Sequence, residues 1–330
     1  MKNKKNLAMT AVWLAALVCC LLLADKAMRR DDGERKYGAF FADKQGFDVL
    51  FMGTSRVLDA VQPLEMWRDY GFTSYNMGNN SEPLEMTKHV LDLAMDTHVP
   101  KVAVIDVFYM THAIDEAWTY PYRHMFLDEI PLSRRKIEAV RATLPESEWQ
   151  EFLMPFSLYH GRWDEILSGS TERMIECEAY MMGAELRKGR AQRHDYVLTD
   201  AIAEEAQPGD EALRAIAQLC REKGIEPVFV ALPGHASEKE QMAMNRAGMI
   251  AQELDVPFVE MMRADVIDYE TDCYDEAGHL NPDGASKASA YLGAWLKENF
   301  DLEDKRGQSA YAYWDENLKT YEAYRKALWE

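Results

Sequence analysis

Phe47-Asp48-Val49-Leu50-Phe51-Met52-Gly53-Thr54-Ser55 is an apolar run that stops abruptly at a glycine and two hydroxyls. Its apolar residues follow one another instead of alternating, which suits a strand buried on both faces. Gly53 permits a sharp turn, and the residues after Ser55 can begin a helix. The Ser55 hydroxyl would then sit at the carboxyl edge of a sheet, close to the amides of a helix N-terminus. A serine in this setting also reads as a plain helix cap, and the G-x-S-x-G pattern of a nucleophile elbow is absent.

Working outward, apolar β-rich runs alternate with helical patterns. The further strands expected are Thr73–Met77, Lys101–Phe108 (KVAVIDVF), Glu226–Leu232 (EPVFVAL) and Pro257–Glu260. Helices are expected over about 83–96 and 237–254. Another is marked by Leu213, Ile216, Ala217 and Cys220, at spacing i, i+3, i+4, i+7, and ends at Gly224. Five strands alternating with helices predict an α/β fold, a doubly wound sandwich around a five-stranded, mainly parallel sheet, whose ligands gather at the carboxyl ends of the strands. Residues 111–209 break the alternation and read as a helical insertion or cap. Residues 301–330 read as a helical tail lying on the domain, so 31–330 is expected to be one domain.

The first thirty residues stand apart as a membrane anchor. Leu7–Ala24 is uncharged and mostly apolar, behind Lys2, Lys4 and Lys5. Eighteen helical residues reach about 27 Å, close to the hydrocarbon thickness of a bilayer. No small-residue cleavage site follows, only Asp25 and Lys26, so an uncleaved single-pass anchor is expected over a signal peptide. Residues 28–41 read as a polar stalk. Beyond residue 30 there remain 31 basic residues (37 less 6) and 55 acidic ones (56 less 1), a net of −24. That balance argues against nucleic acid as a partner and suits a soluble domain held off an anionic surface. Cys177, Cys220 and Cys273 are far apart and require no disulfide framework. The eight histidines show no H-x-x-x-H or H-E-x-x-H spacing, so no metal and no cofactor is expected.

His279 lies in the polar loop Asp275-Glu276-Ala277-Gly278-His279-Leu280-Asn281-Pro282-Asp283-Gly284, just before the last helix of the α/β pattern. Histidine is the natural base for a serine hydroxyl, and a neighbouring carboxylate can hold its tautomer. Together, Gly53-Thr54-Ser55, Tyr75-Asn76-Met77-Gly78, Lys101–Asp106 and His279-Leu280-Asn281 resemble the blocks of the SGNH/GDSL hydrolase superfamily. The chain is similar above all to the membrane-anchored bacterial branch containing the accessory proteins of alginate O-acetylation and teichoic-acid D-alanylation. Pro155–Trp163 resembles a further segment of that branch. The likeness covers 47–110 and 225–298 and implies an SGNH/flavodoxin-like fold.

By this resemblance Ser55 matches the nucleophile and His279 the base, while the amides of Ser55 and Gly78 form the oxyanion hole. The acid three residues before the histidine would be Glu276; Asp275, one further back, is slightly preferred because a one-residue loop expansion is easy. The third-block Asn is missing, since Ile105-Asp106-Val107 stands there, and Asn79 or Asn80 is the expected substitute. Lesser candidates for substrate binding are His160 and Arg162, with His235 and Tyr120-Tyr122-Arg123-His124 at a rim.

Two functions follow. The first is an extracytoplasmic serine esterase or O-acyltransferase on an acylated polysaccharide or cell-wall polymer, partnered by a membrane-bound O-acyltransferase. The alternative is a catalytically weak envelope adaptor or glycan-binding protein. A Ser55–His279 hydrogen bond discriminates between them.

Overall fold

The computed structural model describes residues 2–28, 34–114, 119–154, 161, 177–191 and 198–330. Its centre is a five-stranded sheet made of β1 (Val49–Met52), β2 (Ser74–Asn76), β3 (Val102–Asp106), β4 (Glu226–Ala231) and β5 (Phe258–Glu260), in the spatial order β2-β1-β3-β4-β5. Every pairing is parallel, with Phe51 opposite Asn76 on one side and Val104 on the other. All residues of β1, β2 and β3 are buried, as expected for strands covered on both faces.

Two sets of helices provide the cover. The helices Ser55–Ala60, Pro63–Tyr70, Pro282–Asn299 and Ala312–Trp329 pack together in one set. Leu84–Ala94, Arg134–Thr143, Gly209–Lys223 and Glu238–Glu253 form the other. This is the doubly wound arrangement. The chain leaves β1 for β2 on one side and then crosses back to β3 on the other, so the topological switch lies at the carboxyl ends of β1 and β3. Ser55 follows β1 directly at that point.

Residues 34–42 depart from the expected stalk. Glu34–Gly38 forms a π-helical turn and Ala39–Ala42 a short helix, with Lys36, Tyr37 and Phe40 fully buried. Phe40 stacks on Phe47 at 5.4 Å, and the Tyr75 hydroxyl donates to the Lys36 carbonyl at 2.6 Å. The charges of Glu34, Arg35 and Lys36 had hidden an apolar stripe that joins the core. At the other end, the helix Ala312–Trp329 buries Trp314 and Tyr321, and the Trp67 indole donates to Asp315 at 2.9 Å.

The helix Lys2–Met28 contains the segment Asn6–Asp25, which is long and apolar enough to cross a membrane, a test that a signal sequence also passes.

Candidate active site

The local sequence explains how Ser55 is presented. Thr54 is the cap of the helix Ser55–Ala60, its hydroxyl accepting from the Arg56 amide at 3.2 Å. Ser55 is therefore the first helical residue instead of the cap, and its side chain is released for other contacts. Gly53 adopts φ +139°, and a Cβ there would lie 2.9 Å from the Asp106 Cβ, so the tight turn and the approach of β3 both require glycine.

Ser55 Oγ lies 2.8 Å from His279 Nε2, and His279 Nδ1 lies 2.7 Å from Asp275 Oδ2. Asp275 Oδ1 also accepts from the His279 amide at 3.1 Å, so both carboxylate oxygens hold the histidine. Gly278, at φ +79°, makes the turn between them; its neighbour Ala277 accepts from the His235 amide at 3.3 Å. This turn spaces acid and base by four residues and points Glu276 out to solvent. Burial of Asp275 works against its charge, but the hydrogen bond and charge of His279 outweigh that and hold the carboxyl below its ordinary range.

The arrangement opens into a cavity of about 580 Å³ lined by Ser55, His279 and Asp275 together with Asn80, Ser81, His235 and several aromatics. The Gly78 amide, expected to face an oxyanion, donates instead to Asn76 Oδ1 at 3.0 Å. The glycine is needed for another reason: a Cβ at Gly78 would lie 2.7 Å from the Leu58 nitrogen. Of the two substitute donors, Asn80 lines the cavity. Asn79 is fully buried, and its carboxamide has no partner among the described residues. Where the resemblance expects the third-block Asn, Asp106 Oδ1 accepts from the Leu232 amide at 3.4 Å. Burial pushes the Asp106 carboxyl up to about 6, against the pull of Arg56.

Several lining residues had no sequence signal that separated them from ordinary surface. The Arg56 guanidinium is buried 3.3 Å from the centre of the Phe108 ring and donates to the carbonyls of Leu232 and His235. Arg187 is held by Glu185, one nitrogen lying 3.0 Å from each carboxylate oxygen. Tyr274 stacks on the His279 ring with centroids 5.7 Å apart and planes at 15°. Asp59 could have been noticed as the residue one helical turn beyond Ser55.

Tyr122 and His235 reach the cavity wall. Arg123 is paired with Glu148 at 2.6 Å, and the buried His124 with Asp128 at 3.0 Å, so neither is part of it. His160, Arg162 and the Tyr120 side chain lie outside the described residues. No group of metal-ligating side chains occurs among the described residues.

No family model and no curated protein sequence matches the chain. Solved structures do. A protein assigned to the lipolytic G-D-S-L family from Desulfitobacterium hafniense is 11% identical, with 76% of this chain and 99% of that one covered at a TM-score of 0.39. A protein assigned as an acylhydrolase from Bacteroides fragilis is 11% identical over 78% of this chain and 89% of that one, at a TM-score of 0.39. A GDSL-like lipase from Bacteroides thetaiotaomicron is 10% identical over 81% and 99%, at 0.40. What the chain is similar to is thus a set of GDSL-type proteins, and the candidate site stands on its own geometry.

Proposed function

We propose that the chain is a serine esterase or O-acyltransferase working through an acyl-enzyme on Ser55. The observation that carries this reading is the continuous chain of contacts from Ser55 Oγ through the His279 ring to Asp275. As Oγ attacks an ester carbonyl, Nε2 takes its proton and then delivers it to the departing alcohol. Asp275 fixes the proton on Nδ1 and stabilises the imidazolium. In the second half, His279 deprotonates water or an acceptor hydroxyl, which attacks the acyl-serine and restores the free serine. Donors for the oxyanion are the Ser55 amide and the Asn80 side chain, which borders the cavity.

The apolar helix at Asn6–Asp25 supports a single-pass anchor, and in this reading the catalytic body lies outside the cytoplasmic membrane. That placement favours an acylated envelope polysaccharide or cell-wall polymer as substrate, and a membrane-bound O-acyltransferase as partner. An adaptor without chemistry has no need of an aligned serine, histidine and carboxylate, which favours the enzyme reading over it. Turnover of p-nitrophenyl acetate by the full-length protein in detergent tests the proposal. Wild type is expected to hydrolyse the ester, and Ser55→Ala and His279→Ala to fall to background. Equal rates in all three would overturn it.

A further inference from the structure

The geometry points to Asp59 as a positioning residue for His279, acting through Tyr274 from the same short helix that carries Ser55. This inference rests on the catalytic reading above. Asp59 lies four residues after Ser55 and is buried, at 2% exposure. Its Oδ2 accepts from the Tyr274 hydroxyl at 3.0 Å, while its Oδ1 has no partner among the described residues. Tyr274 lies face to face with the imidazole of His279, in the offset stack that aromatic rings favour, and its amide donates to the His279 carbonyl at 2.9 Å. Tyr274 is thus fixed at both ends, one at the backbone of His279 and the other at Asp59.

A buried carboxylate with an unpartnered oxygen is costly, and a core position would be better served by an apolar residue. The groups facing Asp59 suggest what it is kept for. They are His279 and Tyr274 from the loop before the last helix, and Glu185 and Arg187 from the segment beside it. Arg187 is hydrogen-bonded to Glu185 and keeps a fixed charge, whereas His279 is the neighbour of Asp59 that gains its positive charge during the reaction. Burial pushes the Asp59 carboxyl up to about 7, with His279 and Arg187 pulling the other way and Glu185 adding to the rise. Asp59 therefore gains its charge near neutrality and favours the imidazolium that forms as Ser55 attacks. Tyr274 meanwhile keeps the ring from turning out of the Ser55–Asp275 line.

The test is the pH dependence of p-nitrophenyl acetate hydrolysis by the full-length protein in detergent, for wild type, Asp59→Asn, Tyr274→Phe and Ser55→Ala. Rates of wild type, Asp59→Asn and Tyr274→Phe are scaled to the sites labelled by a fluorophosphonate, so unfolded protein does not count, and Ser55→Ala, which lacks that site, is scaled to total protein. Asn keeps the acceptor for Tyr274 and removes only the charge. Its kcat is expected to fall about tenfold with KM nearly unchanged, and the acid limb of its pH profile to be displaced to lower pH, because the carboxyl that gains its charge near neutrality is gone. Tyr274→Phe is expected to lose kcat to a similar degree without that displacement, and it decides the matter if Asp59→Asn does not fold. Ser55-dependent turnover with wild-type kcat and superimposable profiles in both variants would overturn this inference alone. Turnover undiminished in Ser55→Ala would remove the catalytic reading and this inference with it.

Discussion

Ser55 Oγ and His279 Nε2 are 2.8 Å apart although 224 residues separate them in the chain. One residue ends the turn after β1 and the other precedes the helix Pro282–Asn299, and that helix packs directly on the helix of Ser55. The contact is thus secured by packing between two elements of the same layer. The last helix itself is started by Asn281, whose side chain accepts from the amides of Asp283 and Gly284.

Asp275 and Glu276 make a sharp pair for a mutational comparison. Asp275 holds the His279 ring from Nδ1, whereas Glu276 points to solvent. Asp275→Asn is expected to lower kcat by about 10²–10⁴, since the wrong tautomer becomes available to the ring. Glu276→Gln is expected to stay within about twofold of wild type, the ordinary size of a surface effect. Steady-state kinetics of the two variants checks this, and the reverse ranking would show that the carboxylate had been misassigned.

The strands were legible because β1, β3 and β4 are buried on both faces and so carry continuous apolar runs with clear punctuation. The choice between Asp275 and Glu276 was not, because it depends on the φ +79° turn at Gly278 and not on residue types. Gly78 matched a sequence block, yet its amide is spent on Asn76, a contact that only the folded turn creates. Asp59 and Tyr274 meet across 215 positions, and although Asp59 lies one helical turn beyond Ser55, nothing local joins it to Tyr274. The stalk expected over 28–41 is hidden for a different reason: Lys36 is buried with its ammonium 2.5 Å from the Gly183 carbonyl, and residue type alone marks a lysine as solvated.

Asn80 and Ser55 both line the cavity, whereas Asn79 is fully buried and does not line it. Removing one oxyanion donor typically costs about 10²–10³ in kcat. Asn80→Ala is expected to show a loss of that order, with KM little changed because the interaction strengthens only as the carbonyl oxygen gains charge. Asn79→Ala is expected to alter kcat far less. Kinetics of the two single variants against wild type separates these outcomes, and an unchanged kcat for Asn80→Ala would remove it from the oxyanion site.

Asn76 ties the end of β2 to the helix that carries Ser55. Its amide nitrogen lies 2.7 Å from the Val57 carbonyl and 2.8 Å from that of Val61, while its Oδ1 accepts from Gly78. Removing the side chain leaves these buried groups unpaired, at about 1–3 kcal/mol each before relaxation. Asn76→Ala is expected to destabilise the protein by roughly 3 kcal/mol and to lower activity by loosening the position of Ser55. Urea unfolding followed by circular dichroism measures the first effect. A midpoint equal to that of wild type would mean that the clamp carries no net stability.

Two buried carboxylates give the stability opposite responses to pH. Asp48 accepts from Lys305 at 2.5 Å and from the Thr73 hydroxyl at 3.0 Å, and against the penalty of burial these partners hold its carboxyl below the ordinary range. Its contribution is present above the unfolded value of about 4 and is lost as pH falls through the lower folded value. Glu82 is the reverse. It is buried with one oxygen accepting from Thr87 at 2.8 Å and the other without a partner among the described residues, and burial pushes it up to about 8. The unfolded chain ionises this group from about pH 4 while the folded chain does not, so its contribution declines between pH 4 and pH 8 and is level above that. Glu82→Gln keeps the acceptor for Thr87 and removes the ionisation. It is expected to raise the melting midpoint by several degrees at pH 8, with the gain shrinking steadily as the pH approaches 4. Calorimetry of both proteins across that range checks it; a gain independent of pH would mean that the charge of Glu82 is not what limits stability there.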